Sequence, residues 1–199
     1  MKKKLAIIFS FLLLVSSAMM IYWYVGGMRE ASADLERATG EAKKTGSKET
    51  VVKIYFANKK MNPGQADCQG VFPVLRTVAN DLIVKRRAIE EILLGPTAEE
   101  TEQGYYSAIP DKNEVINYRE KIKQEAGQAP YAGEEVGIRS VKILSGALYI
   151  DFSKEIMAYG GDACRAETIR AQLSETAKQF PKISWANVSV EGVENALRP

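Results

Sequence analysis

Val136 to Phe152 reads VGIRSVKILSGALYIDF. Apolar and polar residues alternate on both sides of Ser145-Gly146, a small polar residue followed by glycine between two period-two runs. That pattern predicts two strands, Val136–Leu144 and Ala147–Phe152, joined by a tight hairpin. The spacing assigns Ile138, Val141, Ile143, Leu148, Ile150 and Phe152 to a core-facing side.

Downstream, Gly160-Gly161 is followed by Asp162, which can cap a helix over residues 163–180. Ile169, Leu173, Ala177 and Phe180 then recur at 4,4,3 spacing, and Pro181 closes the segment. Ile183–Val190 (ISWANVSV) reads as a final strand. Upstream, the β-branched and aromatic run Val51–Ala57 reads as a strand. Asn58–Gly70 reads as a loop. Phe72–Val78 is a second extended piece, which Pro73 assigns to a sheet edge. Asn80 or Asp81 can cap a helix carrying Leu82, Ile83, Ala88, Ile89, Ile92 and Leu93, which Gly95 and Pro96 terminate. Arg86–Glu90 and Arg87–Glu91 are spaced for i,i+4 pairs on its wet face. Thr97–Gly104 reads as an acidic loop. Residues 111–135 are polar, with a short helix around Glu114–Glu125. The order β-(β)-α-β-β-α-β implies an α+β fold: a two-layer sandwich of one mixed sheet with two helices on one face.

The start of the chain has a different character. Met1-Lys2-Lys3-Lys4 precedes an uncharged apolar run from Leu5 to Val25. At 1.5 Å per residue this run reaches roughly 31 Å, about the thickness of a bilayer core. The lysines place the N-terminus in the cytoplasm, and Tyr22, Trp23 and Tyr24 suit the opposite headgroup level. The expectation is a single-pass anchor over residues 1–28, with the body outside the cytoplasm. A cleaved signal peptide, cut after Ala18 or Ala33, is the alternative reading; both export the body. Residues 29–50 are polar and read as a linker, residues 51–193 as one domain and residues 194–199 as a tail.

Composition excludes several activities. The 199 residues include no histidine, which rules out Ser-His-Asp and Cys-His catalysis. Two cysteines without histidine cannot form a Cys/His zinc site, and neither a metal nor another cofactor is expected. The formal net charge of +2 and the lack of a basic stripe give no sign of nucleic-acid binding.

An even cysteine count in an exported domain favours a Cys68–Cys164 disulfide, with two free thiols as the alternative. As a nucleophile at a helix start, Cys164 would lack any histidine to assist it. Asp151, Glu155 and Asp162 are the carboxylates that a hydrolase reading would use. The bland reading is a solvated strand residue and a helix cap. Gly160-Gly161 can cradle an anion or simply turn the chain. Tyr105, Tyr106, Tyr118 and Tyr131 are candidates for an interaction surface, or ordinary half-buried tyrosines.

Several segments together resemble a known family. They are VKIYF (residues 52–56), VFPV with RTV (71–78), AIEEILLGPT (88–97), SAIP (107–110), YIDFS (149–153), Gly160-Gly161, IRAQL (169–173) and QFP (179–181). This set is similar to the GerMN domain of sporulation and spore germination, over about residues 51–193. The resemblance implies an exported, usually membrane-anchored α/β domain. Its relatives include a scaffold lipoprotein that supports assembly of a transenvelope complex, and others lie beside cell-wall modules. No catalytic residues are established for the domain. The chain departs from the family pattern between Pro110 and Val136, where it carries an insertion containing Tyr118 and Tyr131. The functional expectation is a non-enzymatic envelope module that docks other proteins. A peptidoglycan-binding domain and, behind it, a carboxylate-based wall hydrolase are the alternatives.

Overall fold

The computed structural model describes residues 49–194 and 196–197. They lie in one compact unit, Lys48–Pro199. The expected anchor over residues 1–28 and the linker up to residue 48 fall outside the described residues. Among the described residues, no helix is long and apolar enough to cross a membrane.

The fold is mixed α and β, but its strands form two sheets rather than one. The first contains β1 (Glu49–Asn58), β2 (Val71–Ala79) and β3 (Tyr105–Tyr106) in the order β2-β1-β3, all antiparallel. The second contains β4 (Ile138–Leu144), β5 (Ala147–Phe152), β6 (Trp185–Val190) and β7 (Val193–Glu194) in that order. β5 and β6 run parallel, and their neighbours pair antiparallel. Four α-helices are described: α1 (Val84–Leu94), α2 (Ala98–Glu102), α3 (Lys112–Ala126) and α4 (Ala163–Lys178). The expected single mixed sheet with two helices is corrected on both counts.

The reason for two sheets lies on the free edge of β1. β3 pairs only with Ala57 and Asn58. Along β1 the backbone groups alternate sides, so those of Lys53 and Tyr55, opposite Leu75 and Pro73, point away from β2 and must bond elsewhere; Pro73, in such a non-hydrogen-bonded position, costs the ladder no bond. Side chains of α4 and its C-cap supply the partners. Gln179 accepts from the Lys53 N–H (2.8 Å) and donates to the Lys53 carbonyl (2.7 Å), as a paired strand residue would. Thr176 accepts from the Tyr55 N–H (3.1 Å), and Gln172 donates to the Tyr55 carbonyl (3.2 Å). The other end of the Gln172 amide accepts from the Ala108 N–H at 2.8 Å. On the opposite flank, Ser174 accepts from the Ala186 N–H of β6 at 3.4 Å. The helix therefore splices the open edge of β1 to the start of β6, and no strand is needed between them.

Beside this polar stripe runs an apolar one. Ile169, Leu173 and Ala177 are fully buried against Ile54, Phe56, Leu148, Ile150 and Phe152, with Ala88, Ile89 and Ile92 of α1 in the same core. Ile138 and Val141 are partly buried against it. Ile143 shares the face of Leu148 but lies next to the hairpin turn and is 52% exposed, so its expected core position is corrected. The turn is as expected: Ser145 and Gly146 both adopt positive φ (50° and 80°), the geometry that suits a two-residue hairpin.

Three further local readings are corrected. Leu82 and Ile83 precede α1 and stay exposed, because Asp81 binds the Ile83 N–H and the Arg87 guanidinium instead of leading a longer helix. Glu91 consequently pairs with Arg76, not Arg87, whereas Arg86–Glu90 forms as spaced. Thr97–Gly104 contains α2, nucleated by a Thr97/Glu100 capping box. Beyond Glu191, β7 extends the sheet and Leu197 is buried in the core.

Replacing Gln172 with leucine keeps the volume and strands two buried backbone groups. It should lower unfolding free energy by about 2–4 kcal/mol with little change in m-value, measured by denaturant titration. Reducing the 96-residue Cys68–Cys164 loop should separately cost roughly 4–5 kcal/mol in the chain-entropy estimate, read as a fall in the same midpoint.

Candidate functional site

The cysteines meet. Cys68, in the loop after β1, is bonded to Cys164 in the first turn of α4, with Cα atoms 5.0 Å apart. The Thr168 hydroxyl lies 2.7 Å from the Cys68 carbonyl and 2.9 Å from that of Cys164, and accepts from Gln65 at 3.1 Å. The disulfide thus begins the same helix stripe that continues through Gln172 and Thr176.

The four tyrosines do not form one surface. Tyr105 and Tyr106 sit on β3; Tyr105 packs against the main core, and Tyr106 lies under the Lys59 ammonium at 5.5 Å. Tyr118 and Tyr131 belong to a second, small core with Val115, Val136 and Ala158. The Tyr131 hydroxyl donates to the Val115 carbonyl (3.0 Å), and burial, aided by Glu155 and Tyr118, pushes its pKa up to about 12. These two rings pin the insertion to the body. Arg165 completes the attachment with a bidentate pair to Glu114 (2.9 and 2.7 Å) and a bond to the Ala108 carbonyl (2.8 Å).

The three carboxylates are each engaged locally. Asp162 caps α4 through the Arg165 N–H (2.6 Å). Glu155 is buried and accepts from the Gly133 N–H at 2.9 Å; a Cβ on Gly133 would collide with it. Asp151 accepts from Ser189 (2.7 Å) and the Gly192 N–H (2.8 Å), with Arg139 at 3.3 Å. Burial raises its pKa, but the Gly192 and Ser189 bonds and the Arg139 and Lys142 charges outweigh this and hold it below the ordinary value. Gly160 and Gly161 have φ of 82° and 78°, and Gly160 N–H bonds the Met157 carbonyl, so the pair makes a turn.

Two of the surface depressions lie on either side of one aromatic pair, Trp185 lining one and Tyr149 the other. The first, about 530 Å³, has the outer face of α4 as its floor, with Tyr55 and Val71 on one wall and Trp185 on the other. Arg170, Ser174 and Lys178, one helical turn apart, line that floor. The second, about 420 Å³, lies on the outer face of the β4–β7 sheet and includes Lys142, Tyr149, Asp151 and Ser189. Trp185 is 46% exposed, and its ring stands 6.1 Å from that of Tyr149, tilted by 59°. The aromatic pair is the ridge between the two hollows.

A different exposed surface lies on the β1–β2 ribbon. Val51 (61% exposed) and Leu75 (65%) are diagonal neighbours on its outer face, since Val51 pairs with Thr77 and Lys53 with Leu75. β2 is the edge of its sheet.

A family profile described as "Germane: Sporulation and spore germination" matches residues 53–196. The chain belongs to this sporulation and spore germination family. Comparison with curated proteins finds no match. Among solved structures, the tandem GerMN domains of the sporulation protein GerM from Bacillus subtilis align at 16% identity and a TM-score of 0.49, over 76% of this chain and 41% of that one. The chain thus spans about two fifths of the tandem structure's length. The first GerMN domain of the same protein aligns at 17% identity and 0.46, over 73% of this chain and 85% of that one. At these scores the likeness adds nothing about function. Within the family frame, α4 carries both the IRAQL segment and the Gln172/Thr176/Gln179 stripe.

Two sequence signals mark the unassigned features: the amide and hydroxyl side chains of Thr168, Gln172, Thr176 and Gln179 at 4,4,3 spacing beside an apolar stripe, and a tryptophan opening an alternating strand. Because the folded pKa of Asp151 lies below its unfolded value, its contribution is present above about pH 4 and lost as pH falls through the folded value. Asp151→Asn should therefore destabilise the protein at neutral pH and flatten the acid limb of the stability–pH curve, measured by thermal unfolding from neutral to acid.

Proposed function

We propose that the protein is a non-enzymatic, membrane-anchored module of the bacterial cell envelope that docks and assembles other envelope proteins from the outer side of the membrane. The apolar N-terminal run supports the anchored, exported placement, and family membership supports the assembly role. The observation that carries the docking reading is the Val51–Leu75 ridge beside the β2 edge. Exposed apolar side chains on an open strand face favour association, because covering them removes apolar area from water. A strand edge beside them offers backbone groups that a partner can pair. The local engagement of Asp151, Glu155 and Asp162 favours a binding role over hydrolysis.

A photo-crosslinking residue placed at Leu75 in intact membranes should yield a discrete, repeatable protein adduct, absent with the same residue at exposed Lys121 on α3. Val51→Glu should abolish the adduct while leaving the unfolding free energy within about 0.5 kcal/mol of wild type. No adduct at Leu75, or equal adducts at both positions, would contradict the proposal.

A further inference from the structure

The groove over α4 has a chemistry of its own, separate from the Val51–Leu75 ridge. Its charged residues are paired internally: Glu167 with Arg170 at 4.0 Å and Glu175 with Lys178 at 2.5 Å. Two acids and two bases on one helix face leave no net field to attract a charged polymer. The backbone edges beside the groove are already bonded by Gln172, Thr176, Gln179 and Ser174, so an added peptide strand finds little ladder to extend. What the groove offers a ligand is side-chain hydrogen bonding from Ser174, Gln69 and the paired charges, and one large exposed ring, Trp185.

That combination selects for a neutral, hydroxyl-rich molecule with a flat C–H face. A pyranose ring has both: its axial C–H bonds lie against an aromatic face, and its equatorial hydroxyls reach polar walls. The ridge geometry also favours a chain of sugars over one. Trp185 borders the helix groove, Tyr149 borders the hollow on the sheet, and the rings are 6.1 Å apart, so a ligand crossing the ridge enters both depressions. In the second hollow, Ser140, Lys142 and Ser189 supply hydrogen-bonding groups beside the exposed Ile143 and Leu144. We infer that the Trp185–Tyr149 ridge and its two flanking hollows bind a neutral oligosaccharide strand of the N-acetylhexosamine type found in the bacterial wall.

The chain has two tryptophans, Trp23 and Trp185. In the full-length protein in detergent micelles, Trp23→Phe makes Trp185 the sole reporter. Titration with chitohexaose should shift its emission to the blue and protect it from acrylamide, saturably and equally at low and high salt. In the otherwise unaltered chain, Trp185→Ala should weaken retention on purified sacculi by about tenfold or more, whereas Trp185→Phe retains most of it. Val51→Glu should leave glycan binding unchanged, so loss of the protein adduct at Leu75 and loss of the sugar response are separate outcomes. An unchanged Trp185 emission at saturating hexaose, or a Trp185→Ala chain retained like wild type, overturns the inference. So does a protein adduct formed from position 185 without any glycan response.

Discussion

Everything in this fold hangs on the open edge of one strand. β1 runs the width of its sheet, but β3 covers only its last two residues. The N–H and C=O groups of Lys53 and Tyr55 point away from β2 and would cost free energy if buried unbonded. α4 meets them with Gln179, Thr176 and Gln172, side chains three and four residues apart that act as a short surrogate strand. A helix side-chain ladder can do this because its 5.4 Å pitch is close to the spacing between alternate strand residues, roughly 6.6 Å. Both sheets are thereby fixed to one helix, which the disulfide holds at its first turn.

The exposed features follow from that arrangement. With its polar and apolar stripes committed inward, α4 leaves only its charged face to solvent, and that face becomes the floor of a groove. β6 starts where the helix ends its contact, so Trp185 is placed at the rim rather than in the core. The insertion packs its own small core around Tyr131 and reaches the main body through Arg165. The fold thus presents two separate exposed surfaces, the groove over α4 and the Val51–Leu75 ridge on the β1–β2 ribbon.

Much of this was legible in the sequence. Periodicity placed Leu148, Ile150, Phe152, Ile169 and Leu173 in the core, because alternation and 4,4,3 spacing report burial directly. Capping chemistry located α4 through Asp162, and the even cysteine pair met as favoured. The single-sheet expectation failed for a specific reason: hydropathy cannot tell a solvated amide on a helix flank from Gln172 and Thr176, whose side chains bond to a strand edge. Leu82 and Ile83 fit the helical spacing of α1 yet precede it, because spacing alone cannot see that Asp81 turns back onto Arg87. The tyrosines were grouped by residue type, whereas Tyr131 is buried by contacts more than ten residues distant in sequence, with Val115 and Ala158. The ridge formed by Trp185 and Tyr149 depends on β5 and β6 being neighbours, a topological fact that no local pattern contains.

The most direct test of the surrogate-strand account is native-state amide hydrogen exchange at Tyr55. Its N–H has only the Thr176 hydroxyl as acceptor, whereas its neighbour Ile54 lies opposite Val74 within the β1–β2 pairing. The account predicts that Tyr55 is protected to the same degree as Ile54 in the native protein, and that Thr176→Val accelerates Tyr55 selectively while Ile54 is unchanged. A Tyr55 amide that exchanges as an unprotected group in the native protein would contradict it.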